Sequence, residues 1–438
     1  MKKTMTLGAM AVALLTAVSC SETETEITPT PSNDDQVALG ITPNLKVDAG
    51  TKAATKSVVS GDAIAYDLAK YSDADCAPGL GILVTNNDAT GWYTPDGTEY
   101  TGHHVWYMGD EKGTGWISIK TKAGSFKDTK EVPYYLTKTV GKVYAYYPYD
   151  VAITNSPGSI TQESDLKIPV TILTTGTIDA STNNAKKYWN ASKWDNGLKA
   201  NQVNLSLSTE KDYLYFAGTE GRFVNNGRAT GQTPVTPDAD PDNTNTVNPG
   251  YKINLDMKHA MPMVSFRVYD GGRLSENNVN FTKLEIKNAD GGSNPFLVGN
   301  GTMSLVDGTI GGSLSAGALT RTITNYILMR QVDDSGTEGE YAFKSTGTST
   351  SSINGKSVSK TVSAIVYPTD FSDGDINAII TLKEGSNADV EYPVVLPANQ
   401  WEANNNYIYT LSAGRNKLTV MDVTVEAWSD NEQDEIPL

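Results

Sequence analysis

In Val37-Ala38-Leu39-Gly40-Ile41-Thr42-Pro43-Asn44-Leu45-Lys46-Val47, the apolar residues Val37, Leu39, Ile41, Leu45 and Val47 all fall on odd positions. A period of two puts them on one face of an extended strand. Pro43 shares their register and has no N–H, so it removes one ladder bond and places the strand at a sheet edge or bends it locally. The next segment, Gly50-Thr51-Lys52-Ala53-Ala54-Thr55-Lys56-Ser57, is small, polar and basic and has no packing residue.

This order of segments admits a specific reading. A trypsin-like protease that cuts after Lys52 or Lys56 would free the strand and leave an acceptor groove lined with unpaired N–H and C=O groups. Such a groove takes a strand from another chain. Five apolar side chains at roughly 1.5–3 kcal/mol each amount to about 7–15 kcal/mol before ordering costs. Eleven residues at about 3.3 Å each span roughly 36 Å, enough to cross a sandwich. In the simpler reading, Val37 to Val47 is just the first strand and the lysines lie in a loop. Pattern alone leaves both open.

Upstream, Lys2 and Lys3 precede an apolar run from Met5 to Val18 that is too short to span a bilayer. Residues 1–19 therefore read as a secretory signal. Ala17-Val18-Ser19-Cys20 resembles a bacterial lipobox, which makes Cys20 the expected site of lipidation, palmitate included, in an outer-membrane lipoprotein. An ordinary signal cleaved near Ala17 is the alternative. Residues 20–36 form an acidic, flexible tether. Cys76 is the only other cysteine, so the exported chain is no disulfide scaffold.

Downstream, short apolar and aromatic runs alternate with turn clusters and helical periodicity is scarce. Expected strands include Leu80–Val84, a hairpin from Trp92-Tyr93 through Asp96-Gly97 to His104–Tyr107, Trp116–Ile119, Val143–Tyr149, Val264–Val268, Thr322–Met329 and Tyr407–Leu411. In Leu418 to Trp428, Leu418 and Val420 are even whereas Val423, Val425 and Ala427 are odd. The parity flips near Met421, as at a β-bulge. The fold class is all-β. The expected division is an N-terminal β-sandwich over 37–230 (with 37–56 the removable strand and cleavage segment), a linker or exposed loop over 231–250, and a C-terminal β-sandwich over 251–438.

Sites for chemistry are missing from the pattern. The three histidines, His103, His104 and His259, have no further ligands at metal spacing. His259 reads as a structural, hydrogen-bonded residue. No phosphate loop, nucleophile elbow or zinc-protease motif occurs. Asp238 to Asn243 lacks the Gly and Glu of a calcium loop. No catalytic residue, metal or cofactor is expected. A net charge of −16 argues against nucleic acid as a partner. Trp92, Trp106 and Trp116 with Tyr93, Tyr100 and Tyr107 could form a sugar-binding platform, and a surface glycan-binding lipoprotein is the alternative function. Core packing explains the same aromatics.

The chain resembles the fimbrillin family, the subunits of type V pili. The resemblance rests on ordered features: the lipoprotein start; Val37-Ala38-Leu39-Gly40-Ile41 ahead of Thr51-Lys52-Ala53-Ala54-Thr55-Lys56; Val143-Tyr144-Ala145-Tyr146-Tyr147-Pro148-Tyr149; Lys258-His259-Ala260-Met261 before Val264-Ser265-Phe266; Asn405-Asn406-Tyr407-Ile408-Tyr409; and Trp428. It implies two tandem transthyretin-like β-sandwiches, export as a lipoprotein of a Gram-negative bacterium, and cleavage at a basic residue. It further implies polymerisation with other pilus subunits by donor-strand exchange, and a fimbrium used in cell adhesion, with a host protein or glycan as candidate ligand. The donor would come from the C-terminal segment, either the strand carrying Leu418, Val420, Val423, Val425 and Ala427 or the acidic tail 429–438.

Overall fold

The computed structural model describes residues 36–45, 79–96, 104–109, 116–122, 125–149, 159–180, 202–207, 209–218, 221–228, 245–270, 279–333, 342–345, 352–353, 356–357, 359–414 and 418–427. Among these the only helical element is a 3-10 turn at Glu163–Asp165; the fold is all-β, as expected.

The first large sheet runs, neighbour to neighbour, Gly40–Leu45, Lys252–His259, Leu214–Phe216, Gly141–Tyr147, Leu80–Asn86, His104–Gly109, Trp116–Lys122 and Ser125–Glu131, with Phe223–Val224 also beside Gly141–Tyr147. Its central strands are apolar on both faces because both are covered. Val143 and Ala145 enter one core with Leu80, Ile82, Val84, Val105 and Tyr107. Tyr144, Tyr146 and Leu83 enter a second core on the opposite face. Gly81 makes room for this packing: a Cβ there would lie 2.1 Å from the Tyr146 ring. The Lys252–His259 strand alternates, with Ile253, Leu255 and Met257 buried.

Two further sheets, built mostly from second-half strands, pack around another core. One sheet orders Thr175–Asp179, Ala318–Thr324, Val279–Asn288, Ile376–Glu384 and Val390–Val395. The other centres on Met263–Asp270, buried along its whole length between Ser359–Ile365 and Asn405–Ala413. Leu284, Ile286, Ala378 and Ile380 from one sheet meet Val264, Phe266, Tyr407 and Tyr409 from the other. Trp401 is buried in this core and donates its indole N–H to the Tyr409 hydroxyl at 2.9 Å.

Sheet membership crosses the boundary expected at 231–250. Lys252–His259 completes the first sheet, although it follows that boundary. Thr175–Asp179 and Gln202–Leu205 pair with the second-half strands Ala318–Thr324 and Ser359–Ile365, and Lys167–Thr171 pairs with Leu297–Ser304. The polar composition of 226–250 does not tell which sheet the strands on either side of it join; residues 229–244 lie outside the described residues. The Asn225 side-chain amide donates to Asn248 Oδ1 at 3.0 Å, tying residues 245–250 back to the first half.

Two buried cations also knit the halves. Arg222 donates to the carbonyls of Phe216, Leu305 and Val306 at 2.8–3.2 Å and lies over the Tyr144 and Phe216 rings. Arg321 reaches Glu210 Oε1 at 2.8 Å, and the same oxygen accepts the Ile365 N–H at 3.0 Å.

Two strand expectations need correction. Thr322–Met329 is not one strand: the chain turns at Asn325, whose φ is 57°, between Ala318–Thr324 and Met329–Asp333. The hairpin through Asp96-Gly97 is not what pairs His104–Gly109, which lies between Leu80–Asn86 and Trp116–Lys122. Trp92 bridges Thr85 instead, and the Asp96 N–H goes to the Tyr135 carbonyl at 3.0 Å.

Candidate functional site

The N-terminal strand changes partner at Leu39. Val37–Ala38 pairs antiparallel with Tyr135–Leu136 on one side. From Gly40 the strand runs parallel to Lys252–His259 on the other, Ile41 opposite Ile253 and Leu45 opposite Met257. Three polar groups hold the switch point. The Leu39 N–H goes to the Tyr134 carbonyl at 2.9 Å and the Gly40 N–H to the Tyr251 carbonyl at 2.8 Å. The Tyr107 hydroxyl donates to the Leu39 carbonyl at 2.7 Å. Tyr107 is 1% exposed, and burial pushes its hydroxyl far above the ordinary tyrosine value, so it remains a donor at neutral pH.

Leu39 and Ile41 are 3% and 7% exposed and belong to the first-half core; Val37 is half-buried. The odd face is thus the inner one, as the alternation predicts. Among the described residues Gly40–Leu45 is an edge strand. Since the Gly40 N–H faces Lys252–His259, the nitrogens of Thr42 and Asn44 share that side and that of Pro43 faces outward. Pro43 therefore costs no ladder bond to Lys252–His259, contrary to the expectation. The Leu45 side chain, Val47, Lys52, Lys56, Cys20 and Cys76 lie outside the described residues.

The C-terminal strand Leu418–Ala427 lies at the edge of the second-half sheet, antiparallel to Asn405–Ala413. Thr410 opposes Asp422 and Leu411 opposes Val420, so Met421 is the bulged residue. That is the parity flip seen in the sequence. Leu418 is buried, Val420 and Val423 pack partly against the core, and Val425 is 43% exposed. Ala427 opposes Asn405. The strand is thus docked on its own fold, and its outer edge carries no partner strand among the described residues. Residues 428–438 lie outside them.

Three members of the aromatic stretch are interior residues, not parts of an exposed platform. Tyr93 and Tyr107 are in the first-half core, and Trp106 is 2% exposed, stacked on Tyr149 with centroids 4.7 Å apart. Trp92 and Trp116 are half-buried, and Tyr100 lies outside the described residues. His104 stacks on Tyr149, and its Nε2 hydrogen-bonds the Tyr146 hydroxyl at 2.8 Å. His259 Nδ1 bonds Asp212 Oδ1 at 2.9 Å in the interior, the structural role expected of it. Among the described residues no group of acids, histidines or cysteines could hold a metal ion.

From the sequence, Tyr107 stands out only as one of an aromatic stretch, and Tyr134 and Tyr251 do not stand out at all. Their contacts to Leu39 and Gly40 join residues far apart in the chain, and no local spacing announces them.

Residues 238–428 match the fimbrillin-like family, a family of structural adhesion proteins and not of enzymes. No curated protein sequence matches the chain. Among solved structures, a fimbrial protein from Bacteroides vulgatus is similar at 13% identity and a TM-score of 0.42, over 90% of this chain and 100% of that one. A candidate cell adhesion protein from Bacteroides uniformis is similar at 14% identity and a TM-score of 0.40, over 91% and 99%. The C-terminally truncated tip fimbrial protein Mfa3 from Porphyromonas gingivalis is similar at 11% identity and a TM-score of 0.30, over 80% and 93%. The family match over 238–428 stands on sequence, apart from these likenesses.

Proposed function

We propose that this chain, fimbrillin-like over residues 238–428, is a pilus subunit that polymerises by strand replacement. In this reading the precursor is exported to the outer membrane and anchored through lipid on Cys20. A trypsin-like protease cuts at Lys52 or Lys56. The strand from Val37 to Val47 leaves, and the C-terminal segment of another subunit, within Leu418 to Leu438, takes its place. The assembled product is an extracellular fimbrium whose adhesive partner is a host protein or glycan.

The observation that carries the reading is the position of Gly40–Leu45. Among the described residues it is an edge strand, yet Ile41 within it and Leu39 just before it both enter the core beside it. Burying those two side chains is worth roughly 3–6 kcal/mol. Taking the strand away uncovers an apolar slot and the backbone edge of Lys252–His259, and a second strand restores both.

A disulfide lock tests it. Thr42 and Asn254 are partners across the parallel pair, so cysteines placed there would tether the resident strand. The locked protein should remain monomeric after proteolysis and polymerise once reduced. Equal polymerisation in both states would show that the strand never leaves.

A further inference from the structure

We infer that the Tyr107 hydroxyl and the Tyr134 carbonyl together make the groove selective for strand polarity, admitting a strand that runs parallel to Lys252–His259. The inference rests on the strand-replacement reading and adds a direction to it.

An extended residue presents its N–H and its C=O on the same side, the N–H first along the chain. At Leu39 that side meets the Tyr134 carbonyl at 2.9 Å and then the Tyr107 hydroxyl at 2.7 Å. The Tyr134 carbonyl can only accept. A reversed strand that keeps an N–H on Tyr134 carries the carbonyl of that residue away from Tyr107. One that keeps a carbonyl on Tyr107 leaves the Tyr134 carbonyl without that residue's N–H. A reversed strand therefore makes one of these two bonds and forgoes the other, and in the first arrangement the buried Tyr107 hydroxyl falls back on Ser118. The exposed edge of Lys252–His259 makes no such choice, because a bare strand edge accepts a partner in either direction. The discrimination comes from the opposite side of the slot, where a side chain supplies the second bond.

The test uses the full chain with Cys20→Ser and Cys76→Ser, cleaved by trypsin and exposed to a synthetic peptide of residues 36–47 carrying Thr42→Cys. In the parallel direction position 42 faces Asn254; reversed about the Ile41–Ile253 pair it faces Lys252. Capture of the peptide is compared between Asn254→Cys and Lys252→Cys proteins, each with and without Tyr107→Phe. With Tyr107 present, capture at position 254 should exceed capture at 252 by up to roughly tenfold, the effect of one hydrogen bond not made. With Tyr107→Phe the ratio should fall toward one. An unchanged ratio would overturn the polarity assignment while leaving strand replacement intact. If neither protein captures the peptide above a scrambled control, strand replacement fails and takes this inference with it. A fold defect in Tyr107→Phe scales both captures by the same factor, so the ratio still reports the polarity of the folded fraction.

Discussion

Tyr107 donates its hydroxyl to the Leu39 carbonyl at 2.7 Å, across 68 positions of sequence, so the N-terminal strand is fastened to the interior by a side chain as well as by its ladders. In the intact chain, Tyr107→Phe leaves a buried carbonyl without this donor and should cost about 1–3 kcal/mol. Leu39→Ala opens a cavity and should cost about 2–5 kcal/mol. Urea unfolding of the two variants checks both values.

Proline tolerance should follow the alternation of the N-terminal strand. Thr42→Pro removes an N–H that faces Lys252–His259 and should destabilise the intact chain by about 1–3 kcal/mol. Pro43→Ala touches only the outer side and should stay within about 1 kcal/mol of the parent. The melting temperatures of the pair decide it; equal losses would mean that the strand does not pair as described.

The buried Arg321–Glu210 pair joins a first-half loop to a second-half strand, and Glu210 also accepts the Ile365 N–H. Arg321→Met takes the arginine away from this buried carboxylate and should cost about 3–5 kcal/mol. Adding Glu210→Gln should recover part of that loss, since the amide oxygen still accepts from Ile365. A double-mutant cycle in denaturant measures the coupling.

Glu163, bonded to Lys142 and Tyr144, makes a small part of the stability acid-sensitive. Partial burial pushes its carboxyl up. Hydrogen bonds from Lys142 and Tyr144, with the charges of Lys142 and Arg222, outweigh that and hold it below the usual glutamate value. A depressed carboxyl contributes stability above its unfolded pKa and loses it as the pH falls through the folded value. Unfolding followed from neutral pH downward should therefore show a loss below the ordinary glutamate range that Glu163→Gln does not show. With the side chain 37% exposed, the effect is small and should weaken further in salt.

Much of the fold was legible because strands announce themselves locally. The odd-position run from Val37 to Ile41 faces the core, and the parity flip at Met421 is a bulge. Lys252–His259 alternates as cleanly, yet nothing in it shows that it joins the first sheet rather than the second, because strand partners are chosen over long sequence separations. The same holds for Thr175–Asp179 and Gln202–Leu205. For Trp106 the sequence favours core packing over a platform without settling it, and its burial and stacking on Tyr149 decide for the core. The polar contacts at Leu39 come from Tyr107, Tyr134 and Tyr251, three residues brought together by the fold alone.

Limited trypsin digestion of the purified chain, read by N-terminal sequencing and by denaturing gels run without boiling, tests the central claim most directly. The account predicts cleavage confined to Lys52 or Lys56, followed by ladders that collapse to monomer on heating. Cleavage at either lysine that yields only monomer, with the 37–47 segment still bound, would contradict it.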